Sequence, residues 1–188
     1  EIVSLELQVL LHEVQWLNGS LADIDNRIRK QVLGHATARK LLDMPGTGPF
    51  VAAVLIGELL PLARNLTEAE AATYAGLTPL SRQSGKGGKR PRLARKVNKR
   101  LTHALYLSAV SARKGSALDA AYYTKQVENH VGHPVPHLVA NIALARQRFK
   151  VMYKLLTSGA RYDKEILIAS HLDRQRRERG THRQSHAA

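Results

Sequence analysis

Apolar residues recur over the first thirty positions in alternating steps of four and three: Val3, Leu7, Leu10, Val14, Leu17, Leu21, Ile24 and Ile28. A helix turns once in 3.6 residues, so this spacing gathers all eight on one narrow stripe. Glu6, Glu13, Asp23, Asn26 and Arg27 fall off it. A helix laid on its own globular core carries a wider apolar face. Residues 1–33 are therefore expected to form an intermolecular coiled coil rather than a helix packed on its own domain. Asn18-Gly19 is its weak place, costing roughly 1 kcal/mol of helix stability. Val and Ile share one row of the seam with Leu, which permits two strands without demanding them. The expectation is a homodimer or homotetramer.

The rest of the chain reads as helices too. Two Phe and one Trp leave the core to Leu, Val, Ile and Ala, and few β-branched residues alternate, so the predicted class is all-α. Gly34 ends the first helix. A short helix is predicted over His35 to Asp43, then the turn Met44-Pro45-Gly46-Thr47-Gly48-Pro49, then a helix over Pro49 to Leu60 with Pro in its first turn. Two short helices joined by Gly-x-Gly spell a helix-hairpin-helix. Thr67 and Glu70 have capping-box spacing for a helix over 68–75, and Ala75 to Pro79 reads as a second, degenerate hairpin. Residues 80–92, with three Gly and a Pro, are predicted to be a mobile loop. Helices are predicted near 93–113, 117–129 and 137–158, the last stopped by Gly159. The compact domain is placed at 34–162, with a basic, disordered tail over 163–188.

Twenty-nine Lys and Arg against 15 Asp and Glu give a net charge of +14, which favours a polyanionic partner. The charge is concentrated. Arg82, Lys86, Lys89, Arg90, Arg92, Arg95, Lys96, Lys99 and Arg100 are nine cations in nineteen residues with no acid among them. Basic runs are often solvated faces. Self-repulsion on this scale favours phosphates instead, and each phosphate neutralised adds affinity and salt dependence. Gly46, Thr47 and Gly48 supply a second element. A Gly-x-Gly turn before a helix can point backbone N–H groups at one phosphate, although an ordinary αα-hairpin turn has the same composition. No run of 18 apolar residues predicts a membrane span, and no signal peptide is visible. Cysteine is absent, so disulfides and thiolate metal sites are excluded.

Two clusters invite chemistry. Ser84, beside Gly85 in the cationic loop, is suitable material for a nucleophile on a phosphodiester. Ser-Gly is also a common loop dipeptide, and spacing alone leaves Ser84 structural. His130, His133 and His137 have metal-like spacing, but only Glu128 stands near to complete a set, so no metal is assigned.

Four motifs in order carry a family resemblance: Leu42 to Pro49, Ala72 to Pro79, Gln83-Ser84-Gly85, and Asn98-Lys99-Arg100-Leu101 with Ala104-Leu105-Tyr106. Together they resemble the C-terminal domain of the DEDD-type insertion-sequence transposases, the class that includes the bridge-RNA-guided recombinases. The resemblance covers roughly residues 35 to 162, and the heptads before it look like that family's coiled-coil segment. It implies a two-part enzyme. An N-terminal resolvase-like domain carries four metal-binding acids, and the C-terminal domain supplies a serine that becomes joined to a DNA end. On this pattern Ser84 is the nucleophile. Val97 stands where the family often has Gly, and Thr102 where Arg is common.

The resemblance implies DNA as partner, admits a structured guide RNA, and places Mg²⁺ on the acid-bearing domain, with no cofactor in this chain. A chain that opens on Glu1 without those acids reads as a piece of a longer protein, silent in catalysis by itself. The expected setting is cytoplasmic and nucleoid-associated. The competing reading is a non-catalytic helix-hairpin-helix module that binds nucleic acid and dimerises through its coiled coil. A basic structural protein of ribosome or nucleoid is a third, weakened by the two hairpins and the seam.

Overall fold

The structure, a computed structural model, describes residues 2–80, 92–93 and 97–163. It is almost wholly helical. Helix α1 (Ile2–Gly34) is followed by α2 (Ala36–Leu42) and α3 (Pro49–Val54). A π-helical turn (Leu55–Leu59) continues α3 into α4 (Leu60–Ala63). Then come α5 (Glu68–Tyr74), strands β1 (Pro79–Leu80) and β2 (Arg92–Leu93), α6 (Lys99–Gly115), α7 (Ala117–Asn129) and α8 (Pro136–Ser158). The class is all-α, with one two-residue antiparallel ladder pairing Pro79 with Leu93 and Leu80 with Arg92.

The core lies where α3 and its π turn meet α6 and α8. Leu41, Leu55, Leu59, Leu101, Leu105, Leu144, Phe149 and Met152 are its largest fully buried apolar side chains. Side chains of this size contribute about 1.5–3 kcal/mol each on full burial. Helix α7 has no fully buried residue; it packs on α6 and α8 through half-buried Tyr122 and Tyr123.

Local chemistry sets the helix ends. The Thr67 hydroxyl accepts from Glu70 N at 3.3 Å while Glu70 Oε2 accepts from Thr67 N at 2.8 Å, the reciprocal capping box that starts α5. The same bonds hold the Glu70 carboxyl below the usual carboxylate range, the Thr67 N–H being the larger cause. Gly159, at φ 67°, ends α8 in the left-handed region. The turn after α5, read from sequence as the start of a second, degenerate hairpin, is closed by a Schellman motif: Leu77 N donates to Ala72 O at 2.9 Å and Gly76 N to Thr73 O at 3.0 Å.

Two boundaries differ from the sequence expectation. Helix α6 begins at Lys99, not near 93, because the Asn98 side chain caps Leu101 N at 3.0 Å and Leu93 is in β2. The expected loop over 80–92 loses both end residues to the ladder.

Helix α1 is buried against the body near its C-terminal end. Val32 is buried and Ile28 packs on the core. Residues 4–19 are all exposed, and so are Leu21 and Ile24 of the seam. The exposed apolar surface is also wider than the seam. Leu5, Val9, Leu11 and Trp16 lie outside the seam, and Trp16 is 66% exposed.

Candidate nucleic-acid interface

The Gly46-Thr47-Gly48 hairpin is held to the body from below. Gly46 has φ +72°, and a Cβ added there meets Ala112 N at 2.5 Å and Ser108 O at 2.7 Å. The hairpin backbone thus rests directly on the backbone of α6. Thr47 turns inward: its N–H donates to Met44 O at 3.0 Å and its side chain is buried. Gly48 is exposed, has no atom within 4 Å of an added Cβ, and caps α3. Of the three glycine-turn residues read from sequence, Gly48 is the one that is exposed.

Beneath the hairpin lies Arg148, only 3% exposed. Its Nη1 donates to Asp119 Oδ2 at 2.9 Å. Its Nη2 donates to Ser108 Oγ at 3.1 Å, to Thr47 Oγ1 at 3.4 Å and to Pro45 O. One guanidinium therefore joins the hairpin, α6, α7 and α8. Burial lowers its pKa; the charge of Asp119 works against that and is outweighed. Tyr162 is pushed up, first by burial and then by Asp119, with Arg148 opposing. Sequence reading missed Arg148 among 29 cations. The signal was its register: it occupies the apolar face that Asn141, Leu144, Ala145, Phe149 and Met152 mark out along α8.

A second corner fixes the start of α6. Asn98 Nδ2 donates to Glu58 Oε2 at 2.7 Å and to Tyr74 OH at 2.9 Å, and Asn98 N donates to Tyr74 O at 2.9 Å. Thr102 Oγ1 donates to Ala75 O at 2.8 Å. Gly76, at φ +70°, lets α5 come this close: an added Cβ would meet Thr102 Oγ1 at 3.0 Å. The β1–β2 ladder pairs Leu80 with Arg92. Ser84, Arg82, Lys86, Lys89, Arg90 and Arg95 lie outside the described residues, and Arg92 is described only as part of β2. Lys99 and Arg100 are exposed at the start of α6, where Arg100 Nη1 is 3.5 Å from Glu58 Oε1. His103 opens into a groove of ≈ 380 Å³ with Lys99, Thr102, Tyr106, Leu138 and Ile142.

The three turn histidines are held by local bonds. His130 Nδ1 lies 2.7 Å from Gln126 O, His137 Nδ1 lies 2.7 Å from Tyr123 OH, and His133 Nδ1 accepts from Val135 N at 3.2 Å. Among the described residues no three His, Asp or Glu side chains group closely enough to hold a metal ion. No helix there is long and apolar enough to cross a membrane.

Comparison with known proteins gives a consistent set of relatives. Residues 38–124 match the model of the transposase IS116/IS110/IS902 family. An uncharacterized 43.6 kDa protein of insertion element IS110 from Streptomyces coelicolor is 29% identical over 143 residues, 76% of this chain and 34% of the relative. A 44.8 kDa protein of insertion element IS116 from Streptomyces clavuligerus is 29% identical over 147 residues, 78% of this chain and 36% of the relative. A 42 kDa protein of insertion element IS900 from Mycobacterium paratuberculosis is 32% identical over 158 residues, 81% of this chain and 38% of the relative. The chain thus spans little more than a third of these relatives' length.

Proposed function

We propose, from the match of residues 38–124 to the IS116/IS110/IS902 transposase family, that this chain is the DNA-binding and serine-nucleophile part of an insertion-sequence transposase. The observation that carries the reading is the extent of that match. It includes the Gly46–Gly48 hairpin, the whole cationic segment and Ser84. In this reading Gly48 and the cations from Arg82 to Lys99 hold phosphates and leave bases unread. Ser84 Oγ forms a bond to phosphorus as the bond from phosphorus to one deoxyribose oxygen breaks. The serine proton passes to a base, and the departing oxygen is protonated. A serine hydroxyl needs activation at neutral pH. His103, exposed near the start of α6, is a spatial candidate for the base.

The Mg²⁺ that the resemblance implies does not fit the described residues, which offer no acid cluster. In this reading it sits on acids outside these 188 residues. The whole protein would act on DNA in the cytoplasm, at the nucleoid, with a structured RNA as a further partner. Helix α1 would join copies into a homodimer or homotetramer as a coiled coil, the 34–162 domain would bind DNA through helix-hairpin-helix contacts, and 163–188 would be a basic tail.

The deciding experiment traps the covalent product. This chain alone binds a nicked DNA duplex and leaves it uncut. The full-length protein with Mg²⁺ becomes joined to a DNA strand, and peptide mass places the adduct on Ser84. Ser84→Ala abolishes the adduct and keeps DNA binding. An adduct that persists in Ser84→Ala, or maps to Ser81 three residues away, overturns the assignment. DNA binding by a full-length protein that forms no adduct favours the non-catalytic module.

A further inference from the structure

We propose that two copies of this chain pair through α1 in antiparallel orientation, centred between Gln15 and Trp16. The proposal rests on the reading of α1 as a dimerising helix and specifies how the two copies meet. Three independent features of α1 carry it.

The first is the position of the body. Seam residues Leu7, Leu10, Val14, Leu17, Leu21 and Ile24 are exposed, but Ile28, the next seam position, packs on the chain's own core, and Val32 beyond it is buried. The body therefore occupies the seam side of α1 from Ile28 onward. A parallel partner in register would bring its own body to that same side and level. Two bodies would compete for one space. Antiparallel pairing puts them at opposite ends.

The second is the order of seam residues. In heptad terms Leu7, Val14, Leu21 and Ile28 hold one row (a), and Val3, Leu10, Leu17 and Ile24 the other (d). Parallel dimers favour β-branched residues at a and Leu at d. Leu7, Leu21, Val3 and Ile24 reverse that rule. Antiparallel pairing sets a against d: Leu7 meets Ile24 of the partner subunit, Leu10 meets Leu21 of the partner subunit, and Val14 meets Leu17 of the partner subunit. Each layer combines side chains from different rows.

The third is charge. Glu6 and Arg27 are both exposed, and both flank the seam at the g position. Parallel pairing places g beside e, so Glu6 faces Leu11 of the partner subunit and gains nothing. Antiparallel pairing places g beside g, so Glu6 faces Arg27 of the partner subunit, twice by symmetry.

The chain has no cysteine, so single thiols report the geometry directly. In the 188-residue chain, Leu7→Cys mixed and refolded with Ile24→Cys gives a disulfide-linked dimer, and Leu7→Cys alone does not. Spin labels on Leu7→Cys lie about 25 Å apart, from seventeen residues of helical rise. Glu6→Arg and Arg27→Glu each raise the dimer dissociation constant roughly threefold to thirtyfold, and the double exchange restores it. A dimer in which Leu7→Cys links to itself overturns the antiparallel arrangement and leaves the dimerising role of α1 intact. A chain that stays monomeric in sedimentation equilibrium at tens of micromolar overturns both.

Discussion

Arg148 Nη1 donates to Asp119 Oδ2 at 2.9 Å, joining a guanidinium that is 3% exposed to a carboxylate near the start of α7. The pair sits under the hairpin, and its loss affects both partners. Asp119→Ala leaves a buried cation without its counter-charge and should cost about 3 kcal/mol. Arg148→Met also leaves Pro45 O, Thr47 and Ser108 without their donor, and should cost at least as much. Urea unfolding at neutral pH measures both. Changes below 1 kcal/mol (about the scale of an exposed pair) would refute a structural role for the network.

The two hairpin glycines should separate cleanly. Gly46→Ala puts a Cβ 2.5 Å from Ala112 N in a left-handed residue. Left-handed strain and overpacking together predict about 3 kcal/mol of destabilisation. Gly48→Ala, with open space and φ −80°, should shift stability by less than about 1 kcal/mol. Paired thermal melts of the two variants test the contrast. Equal losses would mean that the hairpin does not rest on α6 as described.

Tyr162 gives a pH signature. Its phenol is raised above 10.0, so the fold favours the neutral form. The associated stabilisation is present in full below the unfolded pKa and is lost as pH rises through the folded one. Absorbance titration should show a component ionising above the ordinary tyrosine range, and Tyr162→Phe should remove it. An unchanged titration curve in the variant contradicts the assignment.

Salt dependence tests the proposed DNA-binding role of the cationic segment. Replacing Arg90, Arg92 and Arg95 together by Ala should reduce the slope of log K against log salt by about 3 at most, one for each phosphate left without its cation. The fall should be similar for unrelated DNA sequences. An intact slope moves the footprint to other cations.

Local signals were legible in the sequence and tertiary ones were not. Thr67 with Glu70, Pro49 in a first turn and Gly159 after a last one each act within a few residues, and each set a helix end where expected. The start of α6 was misread. Arg95 and Lys96 suit a helix as well as a loop, and what fixes Asn98 is its bonding to Glu58 and Tyr74, forty and twenty-four positions away. Arg148 was hidden for the same reason: its partners Pro45, Thr47, Ser108 and Asp119 come from three other parts of the chain. The π turn has no one-residue signature; it slips the helix by one position between Val51 and Ala63, both buried. For the candidate site, the hairpin was legible as a turn. The inward setting of Thr47 was not, because it depends on Arg148.

The anchorage of α1 also has a mechanical side. Ile28 and Val32 bear on the body about 6 Å apart along the helix axis, whereas Leu7 stands about 37 Å beyond Val32. A lever of those proportions multiplies displacement about sixfold. One side chain yielding by about 1 Å at the anchor swings the level of Leu7 through about 6 Å, more than a full helical turn of 5.4 Å. Packing at these two residues therefore sets the aim of the whole mast, and trimming Ile28 to Ala would be felt furthest from the place where it was made.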